Sequence, residues 1–161
     1  MPKPLTVSLP SDTQIQVDRA FDAPPELIFR AWFEPALVRR WLLGPPGWTM
    51  PECEIDGRVG GAYRFVWTSD DGQHTMAIGG VYKDIARPHG WTATERFEPG
   101  WYEGEALVRS TLVDQGGKTQ HSMVITYETK EGRDMALQSG MSDGMEAGYQ
   151  RLDAILAEET V

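Results

Sequence analysis

Residues 139–150 read Ser-Gly-Met-Ser-Asp-Gly-Met-Glu-Ala-Gly-Tyr-Gln and lie inside a proline-free segment from 130 to 159. Apolar residues recur there at the three-to-four spacing of an amphipathic helix, at Leu137, Met141, Met145, Leu152 and Ile155. Gly140, Gly144 and Gly148 run through its middle, and three glycines cost a helix about 3 kcal/mol relative to alanine. We therefore expect either a second backbone packed closely along this side or empty space for a guest molecule.

The sequence before this segment predicts the surface that the helix covers. Residues 13–21 alternate apolar and polar side chains as a strand does, and Asp22 is the expected N-cap of a short helix. A second short helix begins at Pro35. From Met50 onward the period is two, and the strands are separated by turn sequences at Gly44-Pro45-Pro46-Gly47, Ser69–Gly72, Glu98-Pro99-Gly100 and Asp114–Gly117.

This order of elements predicts an α+β fold. About six to seven antiparallel strands form a curved sheet around one long C-terminal helix, which Thr129 caps, and two short helices follow the first strand. Residues 13–159 form a single domain and residues 1–12 an N-terminal extension.

Composition narrows the class of function. The net charge of −9 argues against binding to nucleic acid or an anionic membrane, since both require a basic surface. The opening residues contain no signal-peptide pattern, and Cys53 is the only cysteine. We expect a soluble cytoplasmic protein, as a monomer or a homodimer, with Cys53 as an inert buried thiol.

The order of short motifs resembles the helix-grip fold of the START-like (SRPBCC) superfamily. Within it, the chain resembles the AHSA1-like family, named after the activator of the heat-shock chaperone ATPase, from about residue 15 to 157. The motifs are Phe21–Glu26 with Phe29–Trp32, Gly44–Pro51, Gly60–Phe65, Gly80–Tyr82, Glu95–Phe97, Ser139–Met141, Gly144-Met145 and Arg151-Leu152. The resemblance implies a cavity between sheet and long helix that accepts an apolar molecule.

Aromatic residues, methionines and the glycines supply the expected lining of this cavity, because binding pockets are mostly apolar. The predicted ligand-binding residues are Trp32, Trp41, Tyr63, Phe65, Trp67, Tyr82, Met123, Met141, Gly144, Met145 and Gly148.

Catalytic and metal-binding patterns are weak. His74, His89 and His121 have no acid or cysteine neighbour at ligand spacing, so we expect no metal and no cofactor. Four strand residues have charged or titratable side chains that would be candidates for catalysis if they faced inward: Arg64, Glu95, Arg109 and His121. We expect these four on the outer, solvated face of the sheet.

Three functions remain open. The first is a protein that binds a small hydrophobic molecule without chemistry. The second is a polyketide-cyclase-like or hydrolytic enzyme in the same cavity, marked by an inward-facing Glu95, His121 or Arg109 with a shifted pKa. The third is a chaperone-modulating or stress-response interaction module, marked by an exposed apolar patch at Trp41, Leu42, Leu43 and Trp48.

Overall fold

A computed structural model describes residues 3–43, 46–98 and 104–159. The strands are β1 (Thr6–Ser8), β2 (Gln14–Phe21), β3 (Trp48–Ile55), β4 (Ala62–Ser69), β5 (Thr75–Ala86), β6 (Gly90–Glu98), β7 (Ala106–Asp114) and β8 (Thr119–Thr126). The helices are α1 (Pro25–Phe33), α2 (Pro35–Trp41), α3 (Lys130–Gln138) and α4 (Met141–Glu159). The α+β helix-grip prediction is confirmed.

The sheet is open, antiparallel and eight-stranded, in the order β1-β2-β8-β7-β6-β5-β4-β3. It has more strands than predicted because the N-terminal extension adds β1, in which Val7 pairs with Val17 of β2. Strand β2 pairs with β8, the last strand in the sequence, and Arg19 lies opposite His121. Beyond β8 the strands follow one another in hairpins, as the period-two pattern predicts.

Alternation along each strand separates a buried face from an outer face. In β2 the buried residues are Ile15, Val17, Arg19 and Phe21, and in β7 they are Ala106, Val108, Ser110 and Leu112. The apolar side chains among them pack with residues of α1, α2 and α4 in one large core. A bulge between Thr49 and Glu52 shifts the register of β3, which explains why Met50 and Cys53 are both buried despite their odd spacing.

The two short helices form as predicted, but the predicted cap of the first is wrong. Helix α1 begins with Pro25, its N-cap residue is Pro24, and no side chain caps it. Asp22 lies too far before the first turn for its carboxylate to cap it; it pairs instead with Lys118.

The single long helix predicted from 130 to 159 is also wrong, because the structure divides it into α3 and α4. Gly140 has a φ of +80°, the left-handed conformation that commonly ends a helix and that favours glycine. Thr129 caps α3 as predicted, accepting a hydrogen bond from the Gly132 N–H. Helix α4 alone has 19 residues and a length of about 29 Å.

Two of the predicted turns are described in full, with positive φ at Gly72 and at Gly116 and Gly117. The other two lie partly outside the described residues, at 44–45 and at 99–103. Among the described residues, no helix combines the length and apolar character needed to cross a membrane.

Candidate functional site

A cavity of about 510 Å³ lies between the inner face of the sheet and helix α4. Its size is within the range of small-molecule sites, about 300–1,000 Å³. The structure brings together around it all eleven residues that the sequence singles out: Trp32, Trp41, Tyr63, Phe65, Trp67, Tyr82, Met123, Met141, Gly144, Met145 and Gly148. Whether they bind a ligand stays a prediction, but they do share one cavity.

The three glycines, which look equivalent in the sequence, have three different roles. Gly140 ends helix α3. A Cβ at Gly148 would lie 3.3 Å from the carbonyl oxygen of Trp41, so this glycine permits close packing of α4 on α2. Gly144 is exposed at the edge of the cavity, and a Cβ there would meet nothing within 4 Å. The structure thus shows the close-packing reading at Gly148, whereas room for a guest molecule at Gly144 stays a prediction.

Aromatic rings dominate the cavity wall. Sequence reasoning missed several lining residues on the same strand faces, among them Met76, Ile78, Trp91, Phe97 and Val108. The Trp41 and Trp67 indole N–H groups donate to the carbonyl oxygens of Ala31 and Leu42, at 2.9 and 2.8 Å. Because these polar atoms are already paired, the two tryptophans offer a ligand mainly ring surface.

Glu95 is the most important correction to the sequence-based site. The prediction that it faces solvent is wrong: it lines the cavity together with Trp91, Ala93 and Phe97, its neighbours on the inner face of β6. It makes no hydrogen bond or ion pair among the described residues. The surrounding protein shields its carboxyl from bulk water, although the residue keeps some surface towards the cavity, and this burial raises its pKa to about 7.

His121 also faces inward, contrary to expectation, because it lies on the buried face of β8 with Met123 and Ile125. The imidazole is fully buried, and its centroid is 4.8 Å from that of Trp32 and 6.4 Å from that of Tyr149. Burial lowers its pKa to about 4, although Asp18 acts in the opposite direction. His121 therefore stays neutral near pH 7, and it lies behind the cavity wall.

A second group of polar atoms is buried without partners. Both ring nitrogens of His121, the Ser110 hydroxyl and the Tyr149 hydroxyl make no hydrogen bond among the described residues. Ser110 and Tyr149 line the cavity. Ser110 is diagonal to His121 across the β7–β8 pair, since Leu112 is opposite His121. Unpaired buried polar atoms are costly, so this part of the wall can accept polar atoms from a ligand.

The remaining polar candidates lie elsewhere. Arg64 and Arg109 are on the outer face, as expected, and Arg64 pairs with Glu98 at 3.2 Å. Cys53 of β3 is buried beside Val38, Met50 and Trp67, and burial raises the pKa of its thiol, as expected of an unreactive cysteine. No group of three or more potential ligands that could hold a metal occurs in the described part of the chain.

The end of α2 and the start of β3 form part of the cavity wall. Trp41 is only 2 % exposed, and Leu42 and Trp48 are half-buried and line the cavity. Leu43 is half-buried as well. Within the described chain, these four residues therefore do not form the exposed apolar patch that would mark an interaction module.

An ion-pair cluster joins helix α4 to the inner face of strand β2. The Arg19 guanidinium donates to the carboxylates of Glu146 and Asp153 on α4, at 2.9 and 2.8 Å. The Leu5 backbone N–H donates to Glu146 as well, which ties the N-terminal extension to the same point. Because Glu146 follows Met145 directly, this cluster sets the position of the helix that closes the cavity.

Glu95 and His121 make opposite contributions to the pH dependence of stability. Because the pKa of Glu95 is raised, the free energy of unfolding that the protonated carboxyl contributes is lost as pH rises from 4.5 towards 7. The lowered pKa of His121 means that its contribution is lost as pH falls from 6.5 towards 4. Glu95→Gln removes the Glu95 contribution and keeps that of His121. We therefore expect its free energy of unfolding to rise with pH more than that of the wild type, by about 2 kcal/mol between pH 4.5 and 6.5.

Urea denaturation at both pH values measures this difference. Glu98→Gln, which changes an exposed acid on the outer face of the same strand, is the matched control and should follow the wild type. Parallel curves for Glu95→Gln and Glu98→Gln would show that Glu95 is solvated like a surface acid.

Comparison with known proteins identifies the relatives of this chain. The sequence model of the family described as "Activator of Hsp90 ATPase homolog 1-like protein" matches residues 22–157. A protein of Rhodobacter sphaeroides with a crystal structure is 33% identical over 97% of this chain and 99% of its own, with a TM-score of 0.90. A search of the curated proteins finds no match.

More distant structures share the fold. Protein Ms6760 of Mycobacterium smegmatis is 24% identical over 95% of this chain and 97% of its own, with a TM-score of 0.82. A Plasmodium falciparum protein described as an Hsp90 activator is 17% identical over 90% of this chain and 96% of its own, with a TM-score of 0.63. At these identities the likeness extends to the fold alone.

Proposed function

The chain belongs to the family of activator of Hsp90 ATPase homolog 1-like proteins, and within that family we propose that it binds a small, mostly apolar molecule between the sheet and helix α4. The single observation that carries this proposal is the unfilled space at Gly144 beside an aromatic cavity of about 510 Å³. A glycine that served only tight packing would have a neighbour within contact distance, as Gly148 does.

The cavity chemistry supports binding in a second way. Its wall is mainly aromatic and aliphatic, and the methionines at 123, 141 and 145 can adapt to an irregular guest. Among its polar groups, the Ser110 and Tyr149 hydroxyls are unpaired among the described residues and, with the Glu95 carboxyl, can orient the ligand. Apolar surface with a few placed polar groups is typical of small-molecule sites. The free thiol of Cys53, the single cysteine of the chain, is compatible with a cytoplasmic location.

A neutral fluorescent dye tests this function. Five tryptophans line the cavity, at positions 32, 41, 48, 67 and 91, so a bound dye lies close to them. We expect phenylnaphthylamine to quench tryptophan emission and gain its own by energy transfer, saturating at about one dye per chain. Met135→Ala, at an exposed methionine of α3, should bind the dye unchanged. Quenching that rises without saturation would contradict a defined site.

An enzyme in the same cavity is the second candidate, and one observation favours it. Glu95 faces the cavity with a pKa of about 7, close to the value that suits a general acid or base at neutral pH. Its test is the fate of the ligand: chemistry predicts that a captured molecule changes mass during incubation and that Glu95→Gln stops the change. Binding alone predicts an unchanged mass in both proteins. A chaperone-modulating role stays a prediction from the family resemblance.

A further inference from the structure

The described cavity wall contains an acidic side chain but no basic one. Glu95 is the one residue in the described lining with a side chain that carries a charge near neutral pH, and the lining includes no lysine, arginine or histidine. The other titratable groups facing the cavity are the hydroxyls of Tyr63, Tyr82 and Tyr149, which ionise only in alkaline solution. A carboxylate, sulfate or phosphate ligand would thus meet no counter-charge and one repelling acid. The wall disfavours anions.

The rest of the wall suits positive charge. Ten of the described lining residues are aromatic, including the five tryptophans. The negative faces of aromatic rings attract cations, most strongly in the absence of water, and cages of such rings bind organic ammonium groups. The net charge of −9 adds a long-range attraction for cations.

Glu95 provides a negative charge with which a bound cation can pair. Its carboxyl lies among the cavity-lining side chains of β6 without a hydrogen bond or ion pair among the described residues. An ionised carboxylate that is shielded from water is stable only when paired. A protonated nitrogen would pair with it while its apolar substituents contact the surrounding rings.

We propose that the ligand of this cavity is an organic cation, an apolar body with a protonated amine that pairs with Glu95. This inference rests on the proposed binding function and specifies its ligand class. A neutral ligand with a carbonyl group is the competing class, because protonated Glu95 could donate a hydrogen bond to it. The two classes differ in pH dependence: an amine needs the carboxylate, whereas a carbonyl needs the protonated acid.

Three naphthalene probes of similar shape separate these classes: naphthylmethylamine, naphthylmethanol and naphthylacetate, which are cationic, neutral and anionic. Their dissociation constants are measured by tryptophan quenching at pH 8 and pH 5.5. At pH 8 we expect the amine to bind at least about tenfold more tightly than the alcohol, with the acetate weakest. At pH 5.5 that advantage should shrink by about tenfold or more, because most of Glu95 is then protonated.

Substitution then assigns the effect to Glu95. In Glu95→Gln we expect the ratio of amine to alcohol affinity to fall to about one at both pH values, whereas Glu98→Gln should keep the wild-type ratio. An alcohol that binds as tightly as the amine, an acetate that binds best, or an amine advantage that survives Glu95→Gln would overturn the cation proposal and leave the binding function intact. Failure of all three probes and of phenylnaphthylamine would overturn both.

Discussion

Gly144→Leu is expected to abolish binding of phenylnaphthylamine without loss of stability. The space at the Cβ position is open and lies at the edge of the cavity, so we expect the new side chain to fill part of the cavity. Leucine is also a better helix former than glycine, by up to about 1 kcal/mol. We therefore expect at least a tenfold loss of affinity together with an unchanged or raised midpoint of urea unfolding.

Gly148→Leu, one turn further along α4, should have the opposite effect. There the Cβ would lie 3.3 Å from the Trp41 carbonyl oxygen and 3.5 Å from its ring, so the larger side chain must push α4 away from α2. Overpacking of this kind costs about 1–3 kcal/mol or more. Gly144→Ala is the matched control, because it improves the helix and leaves most of the cavity free. Equal destabilisation of Gly144→Leu and Gly148→Leu would show that both glycines serve packing.

Arg19→Met is expected to destabilise the protein by about 3 kcal/mol, the lower end of the range for a broken buried ion pair. The Arg19 side chain is only 1% exposed, whereas its partners Glu146 and Asp153 are 17% and 19% exposed, so some water can solvate the carboxylates that remain. The variant also loses the contact of the guanidinium with the Phe21 ring, at 4.9 Å from the centroid. Urea unfolding at pH 7 measures the loss.

Two further variants test whether buried charge is the cause. Replacing Glu146 and Asp153 with leucine as well should recover much of the loss, because no unpaired charge then remains. Arg30→Met, which breaks a solvent-exposed pair with Glu34, should change stability little. A loss below about 1 kcal/mol in Arg19→Met would show that the cluster does not anchor α4.

Acid should weaken the same cluster. Burial tends to raise the pKa of Glu146, but the hydrogen bonds from Arg19 and the Leu5 N–H outweigh it and hold the pKa below its ordinary value of 4.5. A lowered pKa contributes stability above pH 4.5 that is lost as pH falls further. We expect this component of acid unfolding to become smaller in Arg19→Met, where only the Leu5 N–H and the Gln150 side chain still lower the pKa of Glu146.

Much of the fold follows from the local pattern of the sequence. Alternation identifies the strands from β2 to β8, and glycine-rich turns separate several of them. The aromatic residues of one strand face, such as Tyr63, Phe65 and Trp67, also lie together around the cavity. Strand β1 has no such signal, because all three of its residues are exposed and it forms through pairing with β2.

The errors have physical causes. Helical periodicity continues across Gly140, and only its left-handed backbone reveals the break between α3 and α4. The expectation that Glu95 faces solvent follows the general preference of charged groups for water. Strand parity contains the contrary signal, since Glu95 alternates in step with Trp91 and Phe97. If a ligand in the cavity pairs with the Glu95 carboxyl, the general preference of charged groups for water no longer requires Glu95 to face solvent.

Native mass spectrometry of the protein as purified, beside Gly144→Leu prepared identically, tests the central claim most directly. We expect the wild type to carry an added mass of a few hundred daltons that is lost on denaturation, and the variant to have the mass of the bare chain. The same bound mass in both proteins would contradict the account, because the ligand would then occupy a site other than the space beside Gly144.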